Sequence, residues 1–102
     1  MSLVFKALSD PTRRHVLELL RKGPMTAGEL SAEFAVSKPT MSAHFAVLRE
    51  AGLVDAHKNG RTITYRLRLS VLEDALLSFA KAFGIDINAG RAKVLAKGKR
   101  KG

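Results

Sequence analysis

The sequence predicts a mainly α-helical fold with one small β-hairpin, and three observations lead to this prediction. Apolar residues recur at helical spacing in several segments before residue 83. Serine, threonine or aspartate precedes most of these segments, where such residues cap helices, and glycine follows them. Residues 53–68 change to a period of two around Asn59-Gly60, a strong signal for a two-residue hairpin turn.

The first two predicted helices are short. The first covers residues 2–8, with Ser2 as its N-cap. The second begins at Asp10-Pro11, because aspartate is a good N-cap and proline suits the first helical position. Gly23-Pro24 ends it. Its apolar side consists of Val16, Leu17, Leu19 and Leu20.

The third and fourth predicted helices are joined by a tight connection at Ala35-Val36. A capping box at residues 26–29 predicts the third helix over about 27–34. Ser37 caps the fourth, which runs to about Ala51, where Gly52 stops it. Its buried side is expected to hold apolar residues spaced four and three apart, namely Met41, Phe45 and Leu48.

The hairpin turn, placed at Asn59-Gly60, fixes a strand register. It pairs Lys58 with Arg61, and it also gives the pairs Ala56–Ile63 and Val54–Tyr65. The largely apolar face of the hairpin then separates from a polar face formed by Asp55, His57, Thr62, Thr64 and Arg66.

The last predicted helix begins at a second capping box, residues 70–73, with Ser70 as the cap. It runs to about Phe83, carries a wide apolar stripe, and is ended by Gly84. Residues 84–102 are basic, and we expect a flexible C-terminal tail there. The cations of this tail are Arg91, Lys93, Lys97, Lys99, Arg100 and Lys101.

The charge of the chain favours a polyanionic partner. Lys and Arg number 18 against 9 Asp and Glu, a formal net charge of +9 in 102 residues. Nucleic acid is the first expectation and an anionic membrane surface the second. No apolar run approaches the roughly 20 residues that span a bilayer, and the N-terminus lacks a secretory signal. We therefore expect a cytoplasmic protein without membrane insertion.

Enzymatic function is not predicted. The chain has no cysteine, which excludes disulfides and thiolate metal sites. It also has no glycine-rich phosphate loop and no pair of carboxylates with a plausible pocket.

The predicted order of three helices, a tight turn, a fourth helix, a hairpin and a fifth helix is that of a winged helix-turn-helix. The outer side of the fourth helix near its N-terminus is small and polar with one cation, which suits a helix that enters the major groove. This side consists of Lys38, Pro39, Thr40, Ser42, Ala43 and Ala46. Lys38 is a candidate for guanine or phosphate contacts, and Ala43 for a thymine methyl. The alternative is an ordinary solvated helix face.

Other candidate DNA contacts lie outside this helix face. The hairpin tip, residues 58–61, carries two cations beside a compact turn and suits phosphates or the minor groove. Its candidate contacts are Lys58, Asn59 and Arg61. The alternative is a solvated hairpin tip. Arg14 points outward from the second helix and is a candidate phosphate contact, whereas Arg13 is expected to make structural hydrogen bonds. His44 is expected to be semi-buried, with packing or a backbone hydrogen bond first and a phosphate contact second.

The apolar surface on residues 3–8 and 72–83 exceeds what a three-helix core with a wing needs, and such patches usually mark interfaces. We therefore expect a homodimer. The interface residues are expected to be Val4, Phe5, Leu8, Leu72, Ala75, Leu76, Phe79 and Phe83. The alternative is a fifth helix that folds back and buries this surface within one chain.

Two segments resemble the ArsR/SmtB-type winged-helix repressors of bacteria. One is FKALSDPTRR at residues 5–14, and the other is SKPTMSAHF at 37–45 followed by LREAGLV at 48–54. The resemblance covers about residues 3–83 and is greatest to the SdpR-like autorepressors. It implies a homodimer built by the first and last helices, an inverted-repeat operator in double-stranded DNA, and repression by promoter occupancy.

The resemblance also bears on metals. Metal-sensing members of the family use cysteines on the third helix, or carboxylates and histidines on the last. Here the last helix offers only Glu73 and Asp74, without histidine. Asp55 and His57 share a strand face, but two ligands do not make a site. No metal and no cofactor is predicted.

We interpret residues 1–83 as a DNA-binding and dimerisation domain with recognition helix 38–50, and 84–102 as a tail that adds non-specific affinity or solubility. The predicted function is a homodimeric, sequence-specific repressor, with autorepression expected. Two alternatives remain. One is a winged-helix module that binds a partner protein, and the other is a sensor of the same fold that an unknown effector releases from DNA.

Overall fold

The computed structural model describes residues 2–86, so most of the predicted tail lies outside the described residues. Within this part of the chain there are five helices and three strands. The helices are α1 (Leu3–Leu8), α2 (Pro11–Leu20), α3 (Ala27–Ser31), α4 (Lys38–Glu50) and α5 (Leu69–Ala82). The strands are β1 (Met25–Thr26), β2 (Val54–Asn59) and β3 (Thr62–Leu67). The predicted mainly helical winged fold is confirmed, with a third strand that was not predicted.

Side chains cap the first four helices at the predicted positions. Ser2 Oγ accepts a hydrogen bond from the Val4 N–H at 3.1 Å. The Thr26 hydroxyl and the Glu29 carboxylate form the reciprocal capping box, at 3.0 and 2.8 Å. Asp10 caps α2 and Ser37 caps α4 by accepting backbone N–H groups of the first turn. These ends are therefore set by local sequence.

Two helix boundaries differ from the prediction. α3 ends at Ser31 because the next N–H groups, those of Glu33 and Phe34, bond to carbonyls three residues back instead of four. α5 begins at Leu69, so Ser70 lies inside its first turn and the predicted cap at this position is wrong. The Arg68 N–H donates to the Leu53 carbonyl at 2.8 Å. This long-range bond, and not a serine cap, fixes where the chain enters α5.

The predicted hairpin register is wrong by two residues. In the structure Asn59 lies opposite Thr62, Ala56 opposite Tyr65 and Val54 opposite Leu67. Gly60 has φ +65°, and none of the described non-glycine residues has positive φ. The turn is therefore Gly60-Arg61 with glycine first, the type II′ arrangement, and Asn59 stays in the strand. A shift of two residues keeps every side chain on its predicted face.

The sheet has the order β1-β3-β2 and is antiparallel. Met25 lies opposite Tyr65, and Thr26 lies opposite Thr64. The strand β1 is two residues long, too short to carry a period-two pattern, and it exists because β3 offers a partner. It attaches the start of α3 directly to the hairpin.

The described part of the chain divides into two compact units, residues 2–72 and residues 73–86. The buried residues of the first unit come from α1 to α4, from the sheet and from the turn before β2. They are Val4, Ala7, Val16, Leu17, Leu20, Leu30, Met41, Phe45, Leu48, Leu53, Val54 and Tyr65. The predicted buried side of α4 is thereby confirmed.

In the second unit α5 ends as predicted at Gly84, which has φ +71°. The N–H groups of Gly84 and Ile85 donate to the carbonyls of Lys81 and Ala80 at 3.0 and 2.8 Å, which is a Schellman motif. None of the helices in residues 2–86 combines the length and the apolar character that crossing a bilayer requires.

Candidate nucleic-acid interface

The outer side of α4 is exposed along its N-terminal half. All six residues of the predicted surface are exposed, namely Lys38, Pro39, Thr40, Ser42, Ala43 and Ala46. On the opposite side Met41 and Leu48 are fully buried and Phe45 is 5% exposed. The helix is therefore anchored by large apolar side chains and presents small polar ones outward.

The N-cap of α4 orients one of these outward groups. Ser37 Oγ accepts from the Thr40 N–H at 3.3 Å and donates to Thr40 Oγ1 at 2.9 Å. The Thr40 hydroxyl accepts this bond, so its own hydrogen can be donated outward. Thr40 is thus a prepared donor on the exposed side of the helix.

His44 turns inward, and its side chain is 15% exposed. Its Nδ1 lies 3.2 Å from Arg13 Nη1, and its Nε2 lies 4.0 Å from Asp10 Oδ2. The predicted semi-burial is confirmed, but the hydrogen-bond partner is a side chain of α2 and not the expected backbone group.

The two arginines of α2 bond to the C-terminal end of α1. Arg13 Nε donates to the Ala7 carbonyl at 2.7 Å and Arg13 Nη2 to the Lys6 carbonyl at 3.0 Å. Arg14 Nη1 donates to the Leu8 carbonyl at 2.7 Å. The structural role predicted for Arg13 is confirmed. The bond of Arg14 was missed, although a cation in the first turn of a helix already indicates a nearby acceptor, since the helix dipole disfavours it there.

The Asp10 carboxylate lies among backbone N–H groups of α2 and the ring of His44. Partial burial would raise the pKa of Asp10, but the N–H groups of Arg13 and Thr12 and the nearby His44 and Arg13 side chains lower it below its ordinary 3.8. Asp10 is therefore ionised at neutral pH, and it faces both the N-terminus of α2 and the ring of His44.

The hairpin tip is solvent-exposed. Lys58, Asn59, Gly60 and Arg61 are all exposed. At the base of the hairpin, Tyr65 of β3 packs on Phe45 of α4 with ring centroids 4.7 Å apart. Burial raises the pKa of Tyr65, whereas the charge of Arg49 opposes this shift. The hairpin is therefore joined to α4 through the core.

A groove runs between α3, α4 and β3. Its lining is mostly small or apolar, and it includes two of the candidate contacts on α4, Lys38 and Ser42. The other lining residues are Ala27, Gly28, Ser31, Ala32, Val36, Phe45, Ile63 and Tyr65. Because Ile63 lies opposite Lys58 in the sheet, the outer side of α4 and the strand that leads to the hairpin tip share one surface.

The residues predicted at a dimer interface differ in exposure. On α1, Val4 is 8% exposed, while Phe5 and Leu8 are half-buried. On α5, Leu72 and Ala75 are half-buried. The exposed large apolar side chains of α5 and of the described residues after it are Leu69, Leu76, Leu77, Phe79, Phe83 and Ile85, of which Leu69, Leu77 and Ile85 were not predicted. The Phe79 and Phe83 rings pack together at 4.9 Å between centroids.

Residues 2–86 contain no cluster of three His, Asp or Glu placed to hold a metal ion. Asp55 and His57 do share a face of β2. Asp55 Oδ1, however, lies 3.7 Å from Arg68 Nη1. The charged group that lies near Asp55 is therefore the guanidinium of Arg68, a residue of the same chain.

Comparison with known proteins gives the same picture for sequence and fold. The family model described as "Bacterial regulatory protein, arsR family" matches residues 10–56. The transcriptional repressor SdpR of Bacillus subtilis is 46% identical over 76 residues, which are 74% of this chain and 84% of that protein. An arsenical resistance operon repressor of Staphylococcus xylosus is 38% identical over 73 residues, 72% of this chain and 70% of that one.

Solved structures of regulatory proteins also resemble the fold of this chain. The crystal structure of a possible transcriptional regulator for arsenical resistance superposes with a TM-score of 0.71 at 34% identity, over 95% of this chain and 96% of that one. The transcriptional repressor BigR from Xylella fastidiosa gives a TM-score of 0.62 at 34% identity, over 76% and 82%.

Proposed function

The chain belongs to the ArsR family of bacterial regulatory proteins, and from this premise we propose that it is a homodimeric, sequence-specific DNA-binding repressor that controls its own promoter. Relatives named as transcriptional repressors support the repressor role, which is not enzymatic. The main observation in support of the proposal is that α4 has two sides of different character. Its buried side is fixed in the core, and its exposed side is small, polar and adjacent to the hairpin.

In this proposal each α4 enters a major groove of one operator. Small side chains at Ser42 and Ala43 let the helix approach the bases, and Lys38 and Thr40 supply donors. The hairpin tip adds contacts from Lys58, Asn59 and Arg61 to phosphates or to the minor groove. The two half-site centres should lie about 10 base pairs apart or a small multiple of that distance.

The net charge of +9 supports a binding energy that depends strongly on salt. Each phosphate neutralised by a lysine or arginine releases counterions, so the logarithm of affinity should fall by about 0.9 per phosphate for each tenfold rise in salt. Arg14 donates one of its guanidinium hydrogens to the Leu8 carbonyl. In this proposal it contacts a phosphate through its remaining N–H groups.

The test is fluorescence anisotropy at about physiological salt on duplex DNA from upstream of the gene, against a scrambled duplex of equal length. We expect the upstream duplex to bind about 10³-fold more tightly or better, with two chains per duplex. Equal affinity for both duplexes would contradict recognition of this promoter. Binding to neither would contradict the DNA-binding function and favour a module that binds a protein.

A further inference from the structure

We propose that Arg13 is a positioning residue for the recognition helix, holding α4 against the end of α1 through its hydrogen bond to His44, so that specific DNA affinity depends on this bond. The inference rests on the proposed role of α4 in DNA recognition. Neither residue needs to touch DNA for it to hold.

The guanidinium of Arg13 joins three helices. Its Nε and Nη2 donate to carbonyls at the end of α1, at 2.7 and 3.0 Å, while its backbone belongs to α2. Its remaining nitrogen, Nη1, lies 3.2 Å from His44 Nδ1 on α4, a residue 31 positions further along the chain. The planar group thus has a bonded partner at each nitrogen, which fixes its orientation.

The hydrogen bond also assigns the tautomer of the imidazole. A guanidinium only donates, so this contact assigns His44 Nδ1 as the acceptor and places the ring hydrogen on Nε2. This Nε2 faces the ionised Asp10, whose carboxylate also holds the N–H groups of Thr12 and Arg13. Both neighbours of the ring therefore come from the first turn and N-cap of α2.

A directional contact is needed here because the rest of the α4 anchor is apolar. Met41, Phe45 and Leu48 bury the helix, but apolar contacts leave small rotations about its axis inexpensive. His44 follows Ser42 and Ala43 directly, so a bond at His44 sets the rotation of the residues proposed to meet the bases. Recognition geometry must hold to within roughly 0.5 Å and 10–20°.

A direct contact of His44 with a DNA phosphate is the competing role. Its side chain is 15% exposed, and its two ring nitrogens face Arg13 and Asp10. These observations favour positioning over contact.

The experiment compares four single variants on the preferred operator and on scrambled DNA. His44→Asn keeps an acceptor near the place of Nδ1 and should bind the operator within about threefold of the wild type. His44→Leu removes the acceptor, and Arg13→Lys removes the planar fork that reaches α1 and α4 together. Both should lose about tenfold or more on the operator, the scale of a hydrogen bond to a charged group, and less on scrambled DNA. His15→Leu, at a histidine that packs on Phe34, is the matched control and should leave the affinity ratio unchanged.

The double variant completes the test. If Arg13 and His44 act as one unit, Arg13→Lys with His44→Leu should lose no more operator affinity than the worse single variant. Circular dichroism at the assay temperature should find every variant folded. If Arg13→Lys is unfolded, the comparison of His44→Asn with His44→Leu decides alone. Nitrogen NMR of the wild-type imidazole gives a readout without DNA, and a ring hydrogen on Nδ1 would overturn the proposed bond.

The outcomes separate this proposal from the proposed function. Wild-type protein that does not prefer the operator would contradict the proposed function. Wild-type protein that prefers it, with His44→Leu and Arg13→Lys retaining the full preference, would overturn the positioning role alone. Equal losses for His44→Asn and His44→Leu on both duplexes, with a smaller salt slope, would identify His44 as a phosphate contact instead.

Discussion

At the scale of single residues, charged side chains and helix ends of opposite sign face each other in the region between α1 and α4. The C-terminal carbonyls of α1 form the negative end of a helix, and Arg13 and Arg14 supply cations to them. Both arginines lie in the first turn of α2, where the dipole disfavours a cation, and Asp10 at the N-cap offsets that cost. The N-terminus of α2 therefore attaches α1 and, through His44, reaches α4.

Replacing Asp10 with alanine should destabilise the protein at neutral pH, because two N–H groups of α2 lose their acceptor. The folded state lowers the pKa of Asp10 below 3.8, so the ionised carboxylate stabilises the fold above that value and loses its effect as pH falls through the lowered pKa. Urea unfolding should find that the difference between wild type and Asp10→Ala shrinks as pH falls below about 4.

The control for this experiment is Asp10→Asn, which keeps a good N-cap without the charge. It should retain part of the stability at neutral pH, and its own stability should lack the transition that the carboxylate causes. A wild-type advantage over Asp10→Ala that grows toward low pH would contradict the assignment.

Lys38→Ala should lose about 1–3 kcal/mol of binding free energy on the preferred operator and less on scrambled DNA, if Lys38 bonds a guanine edge. The control is Lys22→Ala, which removes the same charge from an exposed residue that belongs to neither α4 nor the hairpin. Anisotropy titrations measure both variants. Equal losses for Lys38→Ala on every sequence would assign Lys38 to phosphate.

At the scale of secondary-structure elements, the ends of α4 and α5 use one device. Each helix is followed by a glycine of positive φ, Gly52 at +76° and Gly84 at +71°. After α4 the N–H groups of Gly52 and Leu53 donate to the carbonyls of Arg49 and Leu48, as in the Schellman motif after α5. The turn after α4 aims the chain into β2, so this glycine sets where the hairpin leaves the recognition helix.

Gly52→Ala should destabilise the protein by about 1–2 kcal/mol, because an L-residue is strained in this left-handed conformation. Space is not the cause, since the nearest atom to an added Cβ is Val71 Cγ1 at 3.9 Å. Gly28→Ala is the matched control. Gly28 lies inside α3 at a helical φ, so the added methyl should stabilise by about 0.5–1 kcal/mol. Urea unfolding gives both values, and a neutral Gly52→Ala would refute the strain argument.

At the scale of the whole molecule, two surface properties stand out, a net charge of +9 and exposed apolar side chains on α5. Leu76, Phe79 and Phe83 are 41%, 48% and 68% exposed, and they recur at helical spacing. Such a stripe is costly on a monomer and typical of an interface. It supports the proposed homodimer, in which a second copy covers α5.

Phe79→Glu should weaken this dimer at least about tenfold, because a charge in an apolar interface is desolvated without a partner. Operator affinity should fall with it, since one α4 then reads only one half-site. Sedimentation equilibrium measures the assembly. Lys81→Glu places the same new carboxylate two residues further along α5, on another side of the helix, and should stay dimeric. Unchanged association of Phe79→Glu would exclude α5 as the interface.

The sequence by itself determined where most helices begin and end and which side of α4 is buried. Capping residues positioned the starts of α1 to α4, glycines positioned the ends of α4 and α5, and a spacing of four and three identified the buried side of α4. Once the buried side of α4 was identified, the remaining residues of the helix defined its exposed side. These features are predictable because helix capping and amphipathic spacing act within one or two turns.

The tertiary structure alone decided the features that depend on distant partners. The strand β1 exists because Met25 meets Tyr65, and the start of α5 depends on the bond from Arg68 to Leu53. The hairpin turn lies one residue later than predicted because Gly60 takes positive φ and Asn59 does not. The inward turn of His44 depends on Arg13, 31 residues away. Sequence spacing carries no information about such contacts, because they form only once the helices and the sheet have packed together.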